Sequence, residues 1–438
     1  MASQLPPATP RSVLRGHHAQ VHATAFISGN QRLASGDAEG YVVLWDLTIM
    51  RPTAVWRAHT NAILGIASWG TDKVITHGRD HRLNVWRVTE EDETRLSTTL
   101  PLDPSSDSRP QPWLLHIIEV NTMNFCSFGS CRATEDESTE EILIAVPNTL
   151  ASESVDIYRL PSQERLYTIH SSEKGEKSGM VMALALLHLH SSLVLVTAYE
   201  NGLVTVFQQD LFEKWHLVYR AHSHSQPVLS LDVAPNKEYF LTSGADALLV
   251  KHPIPRPINT QKLQEKTEAH EKEEVQTLQP GKGKSLLSAA LAGESRRAKI
   301  LPQPAPEVQT QALKIVNTRH SGQQSLRVRS DGKIFATAGW DSKIRVYSAR
   351  TMKELAVLKW HQVGCFAVTF ANLDFEVNGP AENEPNETNK ETVGEKSNAA
   401  VPKLVDVTVR QKRIKQAKES HWLAAGSKDG KISLWDIY

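Results

Sequence analysis

An all-β fold of repeated four-stranded blades is what this chain predicts, on three observations. A dipeptide ending in His, Gly16-His17, returns as Ala58-His59 after 42 positions, a period expected of one blade of a β-propeller. About 25 to 30 residues after each, an aromatic residue closes a run of strand formers, RLASGDAEGYVVLWD at Trp45 and KVITHGRDHRLNVWR at Trp86. Within the copies apolar and polar residues alternate, as they do in strands with one face packed on a neighbour.

Later copies are worn but legible. A degenerate third, ILIAVPNTLASESVDIYRL, keeps Tyr158 in the aromatic place, and the fourth, LVLVTAYENGLVTVF, ends in Phe207. In the fifth, YFLTSGADALLVKH, Lys251 is read as replacing the aromatic residue. The sixth, IFATAGWDSKIRVY, ends in Tyr347, and the seventh, WLAAGSKDGKISLW, in Trp435. One blade cannot bury both its faces, so seven are expected to stack as a seven-bladed WD-repeat β-propeller, a single domain over residues 11–438. The chain stops just after the third strand of the last blade, and RSVLR (Arg11 to Arg15) precedes the first. That N-terminal strand is expected to complete blade seven and close the propeller.

Two long stretches interrupt the pattern. Residues 255–310 are rich in Lys, Glu, Gln and Pro, and residues 372–420 begin acidic and Asn-rich and turn basic. Neither has the apolar content for a core, so both are expected to be mobile inserts, in blades five and seven, opening on one rim. A Pro/Ser-rich connection, 101–112, is placed on the opposite face.

Composition narrows the function classes. With 49 basic and 49 acidic residues the net charge is zero, which gives no overall attraction to nucleic acid or an anionic membrane. Three cysteines, Cys126, Cys131 and Cys365, are too few for a disulfide framework and fit a reducing compartment. The N-terminus lacks the apolar core of a signal peptide. Met180 to Tyr199 approaches the length of a membrane span, but His188, His190, Ser191 and Ser192 sit at its centre. Two buried strands joined by a turn explain it better.

Blade two holds His59, Thr76, Asp80 and Trp86, an acid, a base and a hydroxyl that could be mistaken for catalytic machinery. In proteins that resemble this one the four positions form a buried hydrogen-bond network that fixes the blade's register. The network is expected to be complete only there. Blade one has His17, Ser35 and Trp45 but Glu39 where Asp is expected; blade six has His320, Thr337, Asp341 and Tyr347; blade seven has His361, Asp429 and Trp435 with Ala425 in place of the hydroxyl. GKGKS, Gly281 to Ser285, lacks the first glycine of a phosphate-binding loop, Leu278 standing there. The pairs His188/His190 and His222/His224 have metal-ligand spacing but no Cys or acidic companion, so they are read as turn or cap histidines. No cofactor, catalytic residue or metal ligand is assigned.

Binding is the expected role, and its candidate residues are turn side chains. Trp340 precedes Asp341 in the turn between the second and third strands of blade six, and Arg79 and Lys428 hold the same place in blades two and seven. Aromatic and cationic groups so presented are suited to anchor a protein partner.

PWLLHIIEVNTMNFCSF (Pro112 to Phe128), with RSVLRGHHAQVHATAF and GDAEGYVVLWDLTIMRP, resembles the ASTRA-associated protein 1 family, WD-repeat proteins related to G-protein β-subunit-like propellers. The resemblance runs from about residue 11 to the end. It implies a non-enzymatic scaffold subunit of the nuclear ASTRA assembly, also expected in the cytoplasm, with a giant kinase-related subunit, Tel2-Tti co-chaperones and RuvB-like ATPases as partners. It further implies a part in chromatin remodelling and in maturation of phosphatidylinositol-3-kinase-related kinases. Neither direct nucleic-acid binding nor a membrane role is expected. Only about ten residues precede the first strand, leaving no heptad helix for pairing with a γ-subunit. The alternative is a substrate receptor of a cullin-type ubiquitin ligase. Such receptors often carry Trp-Asp-x-Arg at blade ends, and here the Arg is missing from WDLT, WRVT and WDIY. A hydrolase with a metal in a central channel would have mainly His22 and Asp232 to work with. For nuclear import, Lys412 to Lys415 and the run at Arg296 are the basic candidates.

Overall fold

The computed structural model describes residues 8–102, 109–134, 140–171, 178–190, 192–256, 308–373 and 408–437. The fold is an all-β, seven-bladed propeller of seven four-stranded antiparallel sheets. Blade one is β2 (Val21–Ile27), β3 (Arg32–Asp37), β4 (Tyr41–Asp46) and β5 (Arg51–Arg57). Blade two is β6 (Ile63–Trp69), β7 (Lys73–Gly78), β8 (Arg82–Arg87) and β9 (Trp113–Glu119). A one-turn helix, α1 (Glu90–Glu93), lies between β8 and β9, capped by Thr89.

The other blades follow the same order. Blade three is β10 (Gly129–Arg132), β11 (Ile142–Pro147), β12 (Val155–Leu160) and β13 (Glu164–Ile169). Blade four is β14 (Val181–Leu189), β15 (Ser192–Tyr199), β16 (Leu203–Gln209) and β17 (Trp215–His222). Blade five is β18 (Val228–Val233), β19 (Tyr239–Gly244), β20 (Leu248–Pro253) and β21 (Lys314–Asn317). Blade six is β22 (Gln323–Val328), β23 (Ile334–Gly339), β24 (Ile344–Ser348) and β25 (Glu354–Leu358). Blade seven joins β26 (Cys365–Phe370), β27 (Trp422–Ser427) and β28 (Ile432–Asp436) to β1 (Ser12–Leu14).

The chain divides into two compact units. One, residues 1–122 with 320–438, carries blades six, seven, one and two; the other, residues 123–319, carries blades three, four and five. In the first, β1 pairs antiparallel with β28, Ser12 opposite Leu434 and Leu14 opposite Ile432, so the N-terminal strand completes blade seven as expected. The Arg11 guanidinium bonds the Asp436 carboxylate at the same seam. Its core is layered between blades: Val21, Leu33, Trp45 and Val55 pack with Trp422, Ala424, Ile432 and Leu434. Ala34, Val42, Leu44 and Trp56 pack with Ile63, Val74 and Trp86. In the second unit Val194, Val196, Val204 and Val206 meet Val228, Leu231 and Phe240. The inner strands are buried almost throughout, alternate residues of β3 and β4 packing on the blade to one side and the blade to the other, so the period-two pattern becomes two interblade cores.

The apolar stretch Met180 to Tyr199 is indeed two strands, β14 and β15, turned by His190 at a φ of 48°. No helix among the described residues is long and apolar enough to cross a membrane. The connection 101–112 corrects its expected placement: it joins the third and fourth strands of blade two, the position within a blade that the 255–310 stretch takes in blade five.

The inserts have tighter limits where they are described. Residues 257–307 and 374–407, the bulk of both, lie outside the described residues. Pro255 accepts a bond from Gln208 Nε2 at 2.6 Å, and Gln309 exchanges backbone bonds with Val218 and Arg220 along β17. The basic end of the second stretch forms helix α2 (Val409–Glu419), with Thr408 and Gln411 as a capping box. Its Ala417 is 1% exposed and accepts the Trp422 indole N–H at 3.2 Å. Asn30 ties the same region down through the Asn372 carbonyl, at 2.6 Å. Periodicity alone did not reveal this helix, because one small residue anchors it to the sheet.

Candidate interaction face

In blade two the expected network is present. His59 Nδ1 donates to Asp80 at 2.8 Å, Thr76 Oγ1 meets His59 Nε2 at 2.8 Å, and the Trp86 indole N–H donates to the Thr76 oxygen at 2.9 Å. The sequence of donors runs one way, from indole to hydroxyl to imidazole to carboxylate. Burial pushes the Asp80 pKa up, but the bonds from His59 and Thr60 prevail and hold it at about 2. The His59 side chain is fully enclosed, so its hydroxyl partner faces a packed strand and is closed to substrate.

The network is more widespread than the repeat pattern suggests. In blade one the acid is Asp37, not Glu39. Its carboxylate takes His17 Nδ1 at 2.8 Å and the backbone N–H groups of Glu39 and Tyr41 at 3.0 Å, while Ser35 links His17 to Trp45. Asp37 stands two residues earlier than Asp80, at the place of Gly78. A Cβ on Gly78 would collide with the His59 ring and lie 2.6 Å from the Asp80 carboxylate, so in blade two the earlier position is closed to an acid and Asp80 serves from the turn.

Blade five corrects two readings. The residue in the tryptophan's place is His252, opposite Phe240, and Lys251 instead lies 3.6 Å from the centre of the Tyr239 ring. His224 bonds Asp246 at 3.0 Å and Thr242 at 2.8 Å, and His252 Nε2 meets Thr242 at 2.9 Å as the indole does elsewhere. Tyr219 holds the other His252 nitrogen at 2.8 Å. Burial, with His224 nearby, pushes the His252 pKa down to about 3, keeping it neutral.

Blade seven has its hydroxyl after all, moved across the ladder. Ser433, directly opposite Ala425, contacts His361 Nε2 and accepts the Trp435 indole, both at 2.8 Å. Asp429 pairs with Lys431. In blade six the expected histidine is displaced: Thr337 donates to Gln323 Oε1 at 2.6 Å, and His320 stays 3.8 Å from Asp341. The buried Arg345 fork holds Asp341 instead, at 2.6 and 3.1 Å. Blade four substitutes a Thr197, Thr205 and Tyr199 cluster.

Arg79, Trp340 and Lys428 occupy equivalent turns, all in the first unit. Each backbone N–H bonds a carbonyl in the loop leading into its own blade, to Ala62, Gly322 and Gly364 respectively. All three side chains are exposed, Trp340 by 47%. The Trp340 ring lies over Gly322, where any Cβ would collide with the indole, and its N–H donates to Gln324 at 2.8 Å. The ring is thus held in place by its own blade with one face open. Gly364, the residue that bonds Lys428, abuts the Trp340 carbonyl, so blades six and seven present these groups side by side.

The remaining motifs resolve into structural roles where they are described. His188 Nε2 bonds the Arg132 carbonyl at 2.8 Å, and His224 belongs to the blade-five network. His22 stacks on Phe366 at 5.3 Å, burial lowering its pKa, and the Asp232 carboxylate accepts the Val233 N–H. Burial pushes the thiols of Cys131 and Cys365 up to about 12 and that of Cys126 higher still, the opposite of nucleophile activation. The Lys412 to Lys415 run lies on α2. Gly281 to Ser285 and Arg296 lie outside the described residues.

The family model described as ASTRA-associated protein 1 matches residues 10–435. Among curated relatives bearing that name, one from Pyricularia oryzae is 50% identical, covering 99% of this chain and 98% of the relative. One from Verticillium alfalfae is 51% identical over 98% and 93%. One from Schizosaccharomyces pombe is 33% identical over 83% and 93%.

Proposed function

The chain belongs to the ASTRA-associated protein 1 family, and on that premise we propose that it is a non-enzymatic scaffold subunit of the ASTRA assembly. Its proposed partners are the giant kinase-related subunit, the Tel2-Tti co-chaperones and the RuvB-like ATPases. Its role would be in the nucleus, with a cytoplasmic pool, in chromatin remodelling and in maturation of phosphatidylinositol-3-kinase-related kinases. One observation carries the binding reading: the acid, imidazole and hydroxyl sets of blades one, two and five bond inward, and the side chains offered outward are turn residues. Arg79, Trp340 and Lys428 are the proposed partner contacts. A half-open indole held against Gly322 and Gln324 loses little freedom on binding, and the Lys428 cation of the adjacent blade adds charge recognition.

The test is capture of bound proteins from the source cells by tagged wild type and by the triple variant Arg79→Glu, Trp340→Ala and Lys428→Glu. Recovery of the ASTRA subunits with wild type, and their loss from a variant that melts at the same temperature, is expected. Undiminished recovery with the variant would move the contact elsewhere on the molecule, and recovery of a cullin and its adaptor would replace the scaffold reading.

A further inference from the structure

Strand β9 is the outer edge of blade two, and its exposure sets it apart from the other outer strands. Trp113 is 63% exposed, Leu114 42%, Leu115 38% and Ile117 42%. Sheet edges are normally blunted by shortness, charge or a covering segment. The other outer strands show those devices. β1, β21 and β25 have three, four and five residues, and β13 opens with the exposed pair Glu164 and Arg165. β5 meets Ser97 through Val55, and β17 meets Gln309 through Tyr219. β9 runs seven residues with Glu119 as its single carboxylate, and among the described residues no strand pairs with its outer side.

Its backbone polarity follows from the register. Val120 donates its N–H to the His81 carbonyl, so its backbone groups face β8. By strand alternation those of Ile118 face inward too, and those of Ile117 and Glu119 face out. The edge therefore offers paired donors and acceptors flanked by large apolar side chains. Glu119 lies opposite Arg82 on β8, leaving Trp113 to Ile118 without a charge.

We propose that β9 is a strand-addition site, taking an extended, uncharged segment of another protein whose side chains alternate apolar groups onto the two faces of the edge. The four exposed residues offer on the order of 400 Å² of surface, within the range of functional patches. A second copy meeting edge to edge would bury about twice that, roughly 800 Å², half of what a stable interface usually requires. Two rigid blades would touch only along these strands, whereas a flexible segment can also seat its side chains over both faces.

The probe is a soluble peptide of alternating threonine and valine with a charged tail, titrated into the full chain and followed by tryptophan fluorescence. Hydrogen exchange of residues 113–119 is read in parallel. Saturable binding that slows exchange there, and that weakens at least tenfold when alternate peptide nitrogens are methylated, is the expected result. Ile117→Pro, which removes an outward N–H at an edge position where proline is tolerated, and Leu115→Lys should each weaken binding at least tenfold. The lysine variant serves where the proline variant does not fold. Equal binding of the methylated peptide would reduce the patch to a nonspecific apolar surface, absence of binding at millimolar peptide would remove the site, and self-association abolished by Leu115→Lys would make a second copy the occupant.

Discussion

Replacing Asp37 by alanine tests which residue is the acid of blade one. Asp37 is fully buried, and its loss would strand three donors at once: His17 Nδ1 and the backbone N–H groups of Glu39 and Tyr41. An unsatisfied buried donor costs about 1–3 kcal/mol. The three donors converge on one carboxylate and their costs are not independent, so the total should fall near 3–5 kcal/mol. At about 2–4 °C per kcal/mol for a unit of this size, melting should drop by roughly 6–20 °C. Glu39 is partly exposed and its carboxylate meets the exposed His18 at 3.5 Å, so Glu39→Ala should change stability by less than about 0.5 kcal/mol. Calorimetry of both purified variants makes the comparison. If Glu39→Ala melted lower than Asp37→Ala, or the two were equal, the assignment of the acid would be wrong.

Ser433→Ala should cost about 2–3 kcal/mol by leaving His361 and the Trp435 indole without their shared oxygen, and adding Ala425→Ser across the ladder should recover much of it in urea unfolding. Arg345→Lys should destabilise by about 1–3 kcal/mol, because a single ammonium cannot reproduce the two-pronged hold on Asp341; a melting temperature equal to wild type would contradict this. Gly78→Ala should lower the urea midpoint as far as loss of Asp80 does, since the new methyl group displaces the His59 to Asp80 bond. Acid should destabilise the protein from about pH 6.5 downward. Burial is the main cause lowering His77 and His252 to about 3 and His361 to about 4, so below 6.5 the unfolded chain takes up protons that the folded chain refuses. Asp80, held near 2, adds a loss of the same sign as pH falls from about 4 toward 2. A urea midpoint that rose between pH 6.5 and 4 would refute that sign.

The blades were legible because strand alternation and a closing aromatic are local signals, and all seven copies, down to the degenerate one ending near Tyr158, correspond to sheets. Completion of blade seven by the N-terminal strand was also legible, from a spare strand at one end and a missing one at the other. The networks were read less well, because a hydrogen bond is satisfied by atoms in space and not by positions in an alignment. Asp37 does from a strand what Asp80 does from a turn, Ser433 replaces a hydroxyl on the neighbouring strand, and His252 meets the Thr242 hydroxyl where an indole would. The position of Trp340 in its turn could be read from sequence; its ring lying over Gly322 could not, since that depends on the approach of a separate loop. The exposed edge at β9 was present as the string WLLHIIE, but an apolar run does not announce whether its sides are covered.

The pairing of β1 with β28 has a consequence for how the chain is made. Arg11 and Asp436, which meet at that seam, are 425 positions apart. At about 5–20 residues per second, roughly 20–85 s separate the emergence of the first strand from that of its partner. Through that interval blade one has no finished neighbour on its blade-seven side, and Val21, Leu33 and Trp45 lack the Trp422 and Leu434 side chains they will pack against. The newborn protein therefore holds open an apolar face until β27 and β28 emerge to cover it, and a ribosome stalled short of residue 432 would leave it open to chaperones or to aggregation.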